Sequence, residues 1–98
     1  MRQRLLVTFR NGPSWVAGRT TREQPDWGKH AEFIDELVER GTMVMGGPFD
    51  DYSGAMILLE GVGADEARSI LVDDPFILNG VFVFDEIREW TMFVDTFA

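Results

Sequence analysis

Thr42-Met43-Val44-Met45 and Ala55-Met56-Ile57-Leu58-Leu59-Glu60, joined by Gly46-Gly47-Pro48-Phe49-Asp50-Asp51-Tyr52-Ser53-Gly54, decide how this chain folds. Two short apolar runs with a glycine-rich connection between them are the pattern of a β-hairpin with a long loop. On both sides of this hairpin the apolar period changes to a helical one. Upstream, Trp27, Ala31, Ile34, Leu37 and Val38 recur at helical spacing, while Glu32, Asp35, Glu36 and Glu39 take the opposite face. Pro25-Asp26 opens this helix with Asp26 as its cap, and Gly41 stands where a left-handed residue ends it. Downstream, Ala64 to Asp73 sets Ala67, Ile70 and Leu71 on one side of a second helix. That helix begins with the acidic pair Asp65 and Glu66 and is ended by Pro75.

Two further strands complete the pattern. Leu5-Leu6-Val7-Thr8-Phe9 is a β-prone run stopped by Asn11-Gly12-Pro13, and Val81 to Ile87 follows the Asn79-Gly80 turn. The order β-α-β-β-α-β predicts an α+β fold, most economically a ferredoxin-like sandwich: one four-stranded antiparallel sheet with both helices on a single face. The other face, built partly from Leu, Val, Ile, Met and Phe, is an apolar surface that a homodimer would bury. Thr91 to Phe97 is also too apolar for a loose tail and needs a surface to cover it. The expectation is a single domain over residues 1–98, with its core over about 1–90 and an apolar extension over 91–98.

Composition narrows the function classes. Nine Lys+Arg against seventeen Asp+Glu leave a net charge of −8, which repels phosphate backbones and anionic lipid, so neither nucleic acid nor a membrane is an expected partner. The 98 residues contain no cysteine, which removes disulfides, thiol nucleophiles and zinc-thiolate sites together. No run of 18 apolar residues is present to span a bilayer. Met1-Arg2-Gln3-Arg4 leads into only a few apolar residues before Arg10, not a signal-peptide core, and a cytoplasmic location is the expectation.

Right-handed crossovers bring three distant segments to one rim of the sheet: the start of the first helix, the Gly46–Gly54 loop and the end of the second helix. His30 is the only histidine, and imidazole is the side chain suited to exchanging protons near neutral pH. Asp74 reaches the same rim and would orient the ring and stabilise its charged form. A histidine beside the apolar stripe also serves as a packed boundary residue, and an aspartate before a proline also serves as a turn former. Gly46, Gly47 and Pro48 permit close backbone approach to a ligand, and Tyr52 offers a hydroxyl; tight-turn geometry and a solvated hairpin tip account for the same residues. Trp15 and Phe76, with Trp27 and Trp90, supply aromatic walls for a small pocket or else join the core and an interface. Gly12 to Gln24 is a loop long enough to cover a site or simply to connect two elements. One histidine and scattered acids make no recognisable ligand spacing, so neither a metal nor another cofactor is expected.

Taken together, His30, Gly41-Thr42-Met43-Val44-Met45-Gly46-Gly47-Pro48, Asp65-Glu66-Ala67, Asp73-Asp74-Pro75-Phe76, Gly80-Val81-Phe82 and Trp90 form an ordered pattern over residues 1–90. In these motifs the chain resembles the YCII-related (YciI-like) family of small dimeric proteins. The resemblance implies a ferredoxin-like α+β fold, a dimer in the style of dimeric α/β barrels, and an active site centred on His30 and Asp74. Most members of that family have no assigned reaction, and some are linked to dehydrochlorination of chlorinated hydroxyquinols. The Gly12–Gln24 loop and the tail after Trp90 set this chain apart from shorter members.

The leading expectation is thus a small-molecule enzyme without a cofactor, in which His30 and Asp74 abstract a proton for elimination or isomerisation of a small, ring-sized substrate. In the alternative, a non-catalytic dimeric module binds a ligand or protein and uses the His30–Asp74 pair as a structural tie. A cofactor-free oxygenase also suits the aromatic content, though no residue specifically calls for oxygen chemistry.

Overall fold

The structure, a computed structural model, describes residues 2–96. Met1, where the N-terminal stretch starts, and Phe97 and Ala98, where the expected extension ends, lie outside the described residues. The elements are β1 (Arg2–Asn11), a 3-10 turn (Thr21–Glu23), α1 (Trp27–Glu39), β2 (Met43–Pro48), β3 (Gly54–Leu59), α2 (Ala64–Leu71), α3 (Pro75–Leu78) and β4 (Phe82–Met92). The strands form one antiparallel sheet in the order β2-β3-β1-β4. This is the ferredoxin-like order, with two main helices and the single-turn α3.

Alternation along the strands sorts the sheet into two faces. Leu5, Val7 and Phe9 of β1 lie opposite Leu59, Ile57 and Ala55 of β3. All six are buried in one cluster with Leu37 of α1, Ala67 and Leu71 of α2, Phe76 of α3, and Val81 and Phe82. Burying a large apolar side chain of this kind contributes about 1.5–3 kcal/mol, which is why both amphipathic helices lie on this face. Among the described residues no helix packs on the other face, where the large apolar side chains Met56 and Trp90 are exposed. Arg4, on that same face, is buried and meets Asp95 of the C-terminal segment at 3.1 Å.

The expectation of an α/β-barrel-like assembly is corrected here. The sheet has two free edges, β2 and β4, and is open, not closed into a barrel. A barrel interior wide enough to hold side chains needs about eight strands, and this sheet has four.

Several element ends also differ from the spacing-based reading. Gly46, Gly47 and Pro48 belong to β2, where they pair with Ile57, Met56 and Ala55, so the hairpin connection is shorter than expected. β4 runs on to Met92 because β1 supplies a partner along its whole length, which takes the first two residues of the expected extension into the sheet. Phe93 and Val94 are 82% and 81% exposed, so none of the described residues covers them. Asp26 precedes α1 with a left-handed backbone (φ 67°) and makes no side-chain cap; its carboxylate accepts a hydrogen bond from Asn79 Nδ2 at 3.2 Å instead. Gly41 does end α1 as the spacing predicts. With φ +75° it lets its own N–H reach Val38 O at 3.0 Å and the next N–H reach Leu37 O at 2.9 Å, a Schellman ending.

Candidate active site

Asp74 is placed by local chemistry. An aspartate before Pro75 adopts extended backbone (φ −60°, ψ 127°) and caps α3, its Oδ1 accepting the Phe76 N–H at 2.9 Å. This leaves Asp74 3% exposed, with its carboxylate aimed at the first turns of α1. There His30 Nδ1 lies 2.8 Å from Asp74 Oδ1 and 3.0 Å from Oδ2. A carboxylate accepts only, so Nδ1 carries the hydrogen and donates it. Nε2 has no hydrogen-bond partner among the described residues and is not sealed from solvent. Its lone pair is available to whatever occupies the space beside it.

Aromatic rings hold the imidazole on its other sides. Phe76 is fully buried and stacks under the His30 ring at 4.0 Å between centroids and 8° between planes. Trp27 leans on it at 5.5 Å and 47°. One ring edge is thus hydrogen-bonded and one face packed, which leaves the imidazole little rotational freedom.

His30 and Asp74 border a cavity of about 550 Å³, within the range of small-molecule pockets. Its floor is the helix-facing side of the sheet, with Phe9, Ala55, Ile57 and Phe82, and its walls include Trp27, Ile34 and Met43. Gly46, Gly47, Pro48 and Tyr52 all line it, so the structure brings these sequence-selected residues together with the histidine and the aspartate. Gly46 is required by packing: a Cβ there would lie 2.5 Å from Met43 Cε and 2.6 Å from Ile57 Cγ2. Tyr52 has φ 58°, and its carbonyl accepts from Asn11 Nδ2 at 2.7 Å, which ties the hairpin tip to β1.

Trp15 and Phe76 do not line the cavity. Trp15 stacks on Phe82 at 5.9 Å, on the far side of a ring that does, and Phe76 lies beneath the imidazole. Asp51 turns away to accept the Ser53 N–H at 3.0 Å, and the Ser53 side chain, with that N–H second, holds its carboxyl below the ordinary range. Among the described residues, no group of three His, Cys, Asp or Glu is arranged to hold a metal ion. No helix among them is long and apolar enough to cross a membrane.

Sequence reading missed one wall. Thr20, Thr21 and Arg22 border the cavity from the 12–24 loop. Gln24, 3% exposed, folds this loop on itself: its Oε1 accepts the Val16 N–H at 2.8 Å and its Nε2 donates to Val16 O at 3.0 Å. Loop length was the available signal; the anchor is a single amide side chain whose partners no spacing rule identifies.

An open four-stranded antiparallel sheet with two main helices on one face, and a buried His–Asp pair at the rim, defines the class. Residues 7–91 match the YCII-related domain, and the chain belongs to the YCII-related family. It is 33% identical over 63 residues to the uncharacterized protein YjpA of Bacillus subtilis (strain 168), an overlap of 64% of this chain and 73% of that one. It is similar in fold to 5-chloro-2-hydroxyhydroquinone dehydrochlorinase (TftG) from Burkholderia phenoliruptrix AC1100, solved in complex with 2,5-dihydroxybenzoquinone. That likeness has a TM-score of 0.58, covers 90% of this chain and 92% of the other, and comes with 21% identity.

Proposed function

We propose that this protein is a small-molecule enzyme in which His30 moves a proton within the cavity beside it. The observation that carries this reading is the unpartnered Nε2 of an imidazole whose Nδ1 is bound to buried Asp74, in a residue that borders about 550 Å³ of mainly apolar space. In the forward step Nε2 takes a proton from a ring carbon, the C–H electron pair forms a new double bond, and a leaving group such as chloride departs with its own bonding pair. Where no group leaves, the electrons pass to a conjugated oxygen and the proton returns at another atom, an isomerisation. Asp74 orients the ring and stabilises the imidazolium formed in either case. The fold shared with a dehydrochlorinase supports elimination as the first reaction to test.

The test is a screen of chlorinated and hydroxylated ring compounds, read by halide release and by ultraviolet spectrum, on the wild type and on His30→Ala and Asp74→Asn. Positioned acid–base catalysis contributes about 10²–10⁴-fold, so His30→Ala should lose turnover by that factor and remain folded. Turnover that survives His30→Ala would remove the mechanism.

A second reading has its own observation. Asp74 joins α1 to α3 by accepting from both His30 and Phe76, as a structural tie in a binding module would. On that reading the same variants lower stability and change nothing else.

For the open face, exposed Met56 and Trp90 support pairing with a second copy of the chain. Light scattering on the wild type and on Met56→Glu tests it, with a dimer that becomes monomer expected.

A further inference from the structure

The 3-10 turn Thr21–Glu23 presents to the same cavity two polar groups that the proton-transfer scheme leaves unused. Thr21 borders the cavity, is 6% exposed, and its hydroxyl oxygen is buried with no hydrogen-bond partner. Buried hydroxyls are almost always paired, so an unpaired one on a residue of the cavity wall is a donor or acceptor for a bound molecule. Among the described residues, Arg22 is the single Lys or Arg in the cavity wall. Its guanidinium carbon sits 5.9 Å over the Trp27 ring, and no carboxylate of the described residues pairs with it. Stacking holds a guanidinium by one face and leaves its in-plane N–H donors and its charge unspent.

The turn that carries these groups is held in place before any ligand arrives. Gln24 clamps the loop behind the turn, and the Glu23 carboxylate in front of it accepts both the Thr20 N–H at 2.9 Å and the Thr20 hydroxyl at 3.0 Å. The acids in the wall do not cancel the cation. Asp74 is engaged by His30 and the Phe76 N–H, and Asp35 forms no ion pair with Arg22. In a chain of net charge −8, an unneutralised guanidinium next in sequence to an unpaired hydroxyl is a selective feature.

Resting on the reading of this cavity as a substrate site, we propose that Thr21 and Arg22 form an acid-recognition subsite. The cavity takes a ring-sized oxygen acid, a carboxylate or an ionised phenol, whose oxygen is bound by the Thr21 hydroxyl and the Arg22 guanidinium while the ring lies toward His30. The same cation also receives the negative charge that proton abstraction sends to a conjugated oxygen.

The probes are benzoate and its neutral isostere benzamide, titrated calorimetrically into the full chain at low salt. Benzoate is expected to bind about tenfold or more tightly than benzamide, the scale of one charge-assisted hydrogen bond. Arg22→Gln should abolish that preference while keeping benzamide binding, which also reports that the cavity is intact. Thr21→Val should weaken benzoate without altering the circular dichroism. Equal binding of the two probes, no binding of benzoate, or a preference that survives Arg22→Gln would each overturn the subsite. The proton-transfer reading fails separately, by turnover that persists in His30→Ala. Loss of the benzoate preference in Arg22→Gln would then still stand.

Discussion

The ring of His30 lies parallel to the ring of Phe76, 4.0 Å away, and the backbone N–H of that same Phe76 donates to the carboxylate that holds His30 Nδ1. One residue thus supports the imidazole twice, through its face and through its hydrogen-bond partner. The Asp-Pro-Phe segment reads in sequence as a helix stop; in the fold it is the seat of the histidine.

Phe76→Ala therefore removes a fully buried ring and the imidazole's support together. It should cost about 3–5 kcal/mol in urea unfolding. Phe76→Leu keeps most of the volume and is the more informative variant. It should unfold with a smaller loss and, on a substrate found by the screen, lower kcat with KM nearly unchanged. A fall in kcat that only tracks the folded fraction, measured by circular dichroism at the assay temperature, would show that Phe76 acts only through stability.

Gly46 and Gly47 are neighbours in β2 with opposite surroundings. A Cβ on Gly46 meets the β-branched Ile57 side chain at 2.6 Å, whereas a Cβ on Gly47 meets nothing within 4 Å. Gly46→Ala should destabilise by about 1–3 kcal/mol through overpacking, and Gly47→Ala should leave the melting temperature nearly unchanged. Paired thermal melts of the two variants check the contrast.

Arg4 is enclosed on the open face of the sheet with its side chain 4% exposed, and Asp95 is its counter-charge at 3.1 Å. Removing the carboxylate leaves a cation in a poorly solvated place. Asp95→Ala should cost about 3 kcal/mol or more, while Arg4→Met combined with Asp95→Ala should recover much of that loss. Denaturant midpoints for the single and double variants decide it.

Glu23 gives the 12–24 loop its pH dependence. Hydrogen bonds from the Thr20 N–H and the Thr20 hydroxyl hold its carboxyl below the ordinary value of 4.5. A folded-state pKa below the unfolded one contributes stability that is fully present above the unfolded value and is lost as pH falls through the folded one. The turn should therefore be intact at pH 5 and loosen only below 4.5, and Glu23→Gln should weaken this dependence. Carboxyl and Thr20 amide shifts followed by NMR through an acid titration measure it directly.

Much of the fold was legible because its signals are local. Helical spacing from Trp27 to Val38, the glycine after α1, and the two apolar runs around Gly46–Gly54 each report on a few consecutive residues, and together they yield the element order. The pairing of His30 with Asp74 also followed, since right-handed crossovers place the ends of two helices on one rim. The barrel expectation came from the resemblance to dimeric α/β barrels, and the four-stranded sheet with two free edges does not carry it.

By itself, then, the sequence determined four strands, two main helices, their order and the histidine and aspartate brought to one rim, since apolar period and turn chemistry act over a few neighbours. Tertiary structure alone decided the rest. Arg22 stands over Trp27, Thr21 closes the cavity wall, Phe76 lies under the imidazole instead of lining the cavity, and Asp26 binds Asn79 instead of capping its helix. Each of these depends on which side chains compete for the same space where loop, helix and sheet meet, and no spacing along one segment encodes that competition.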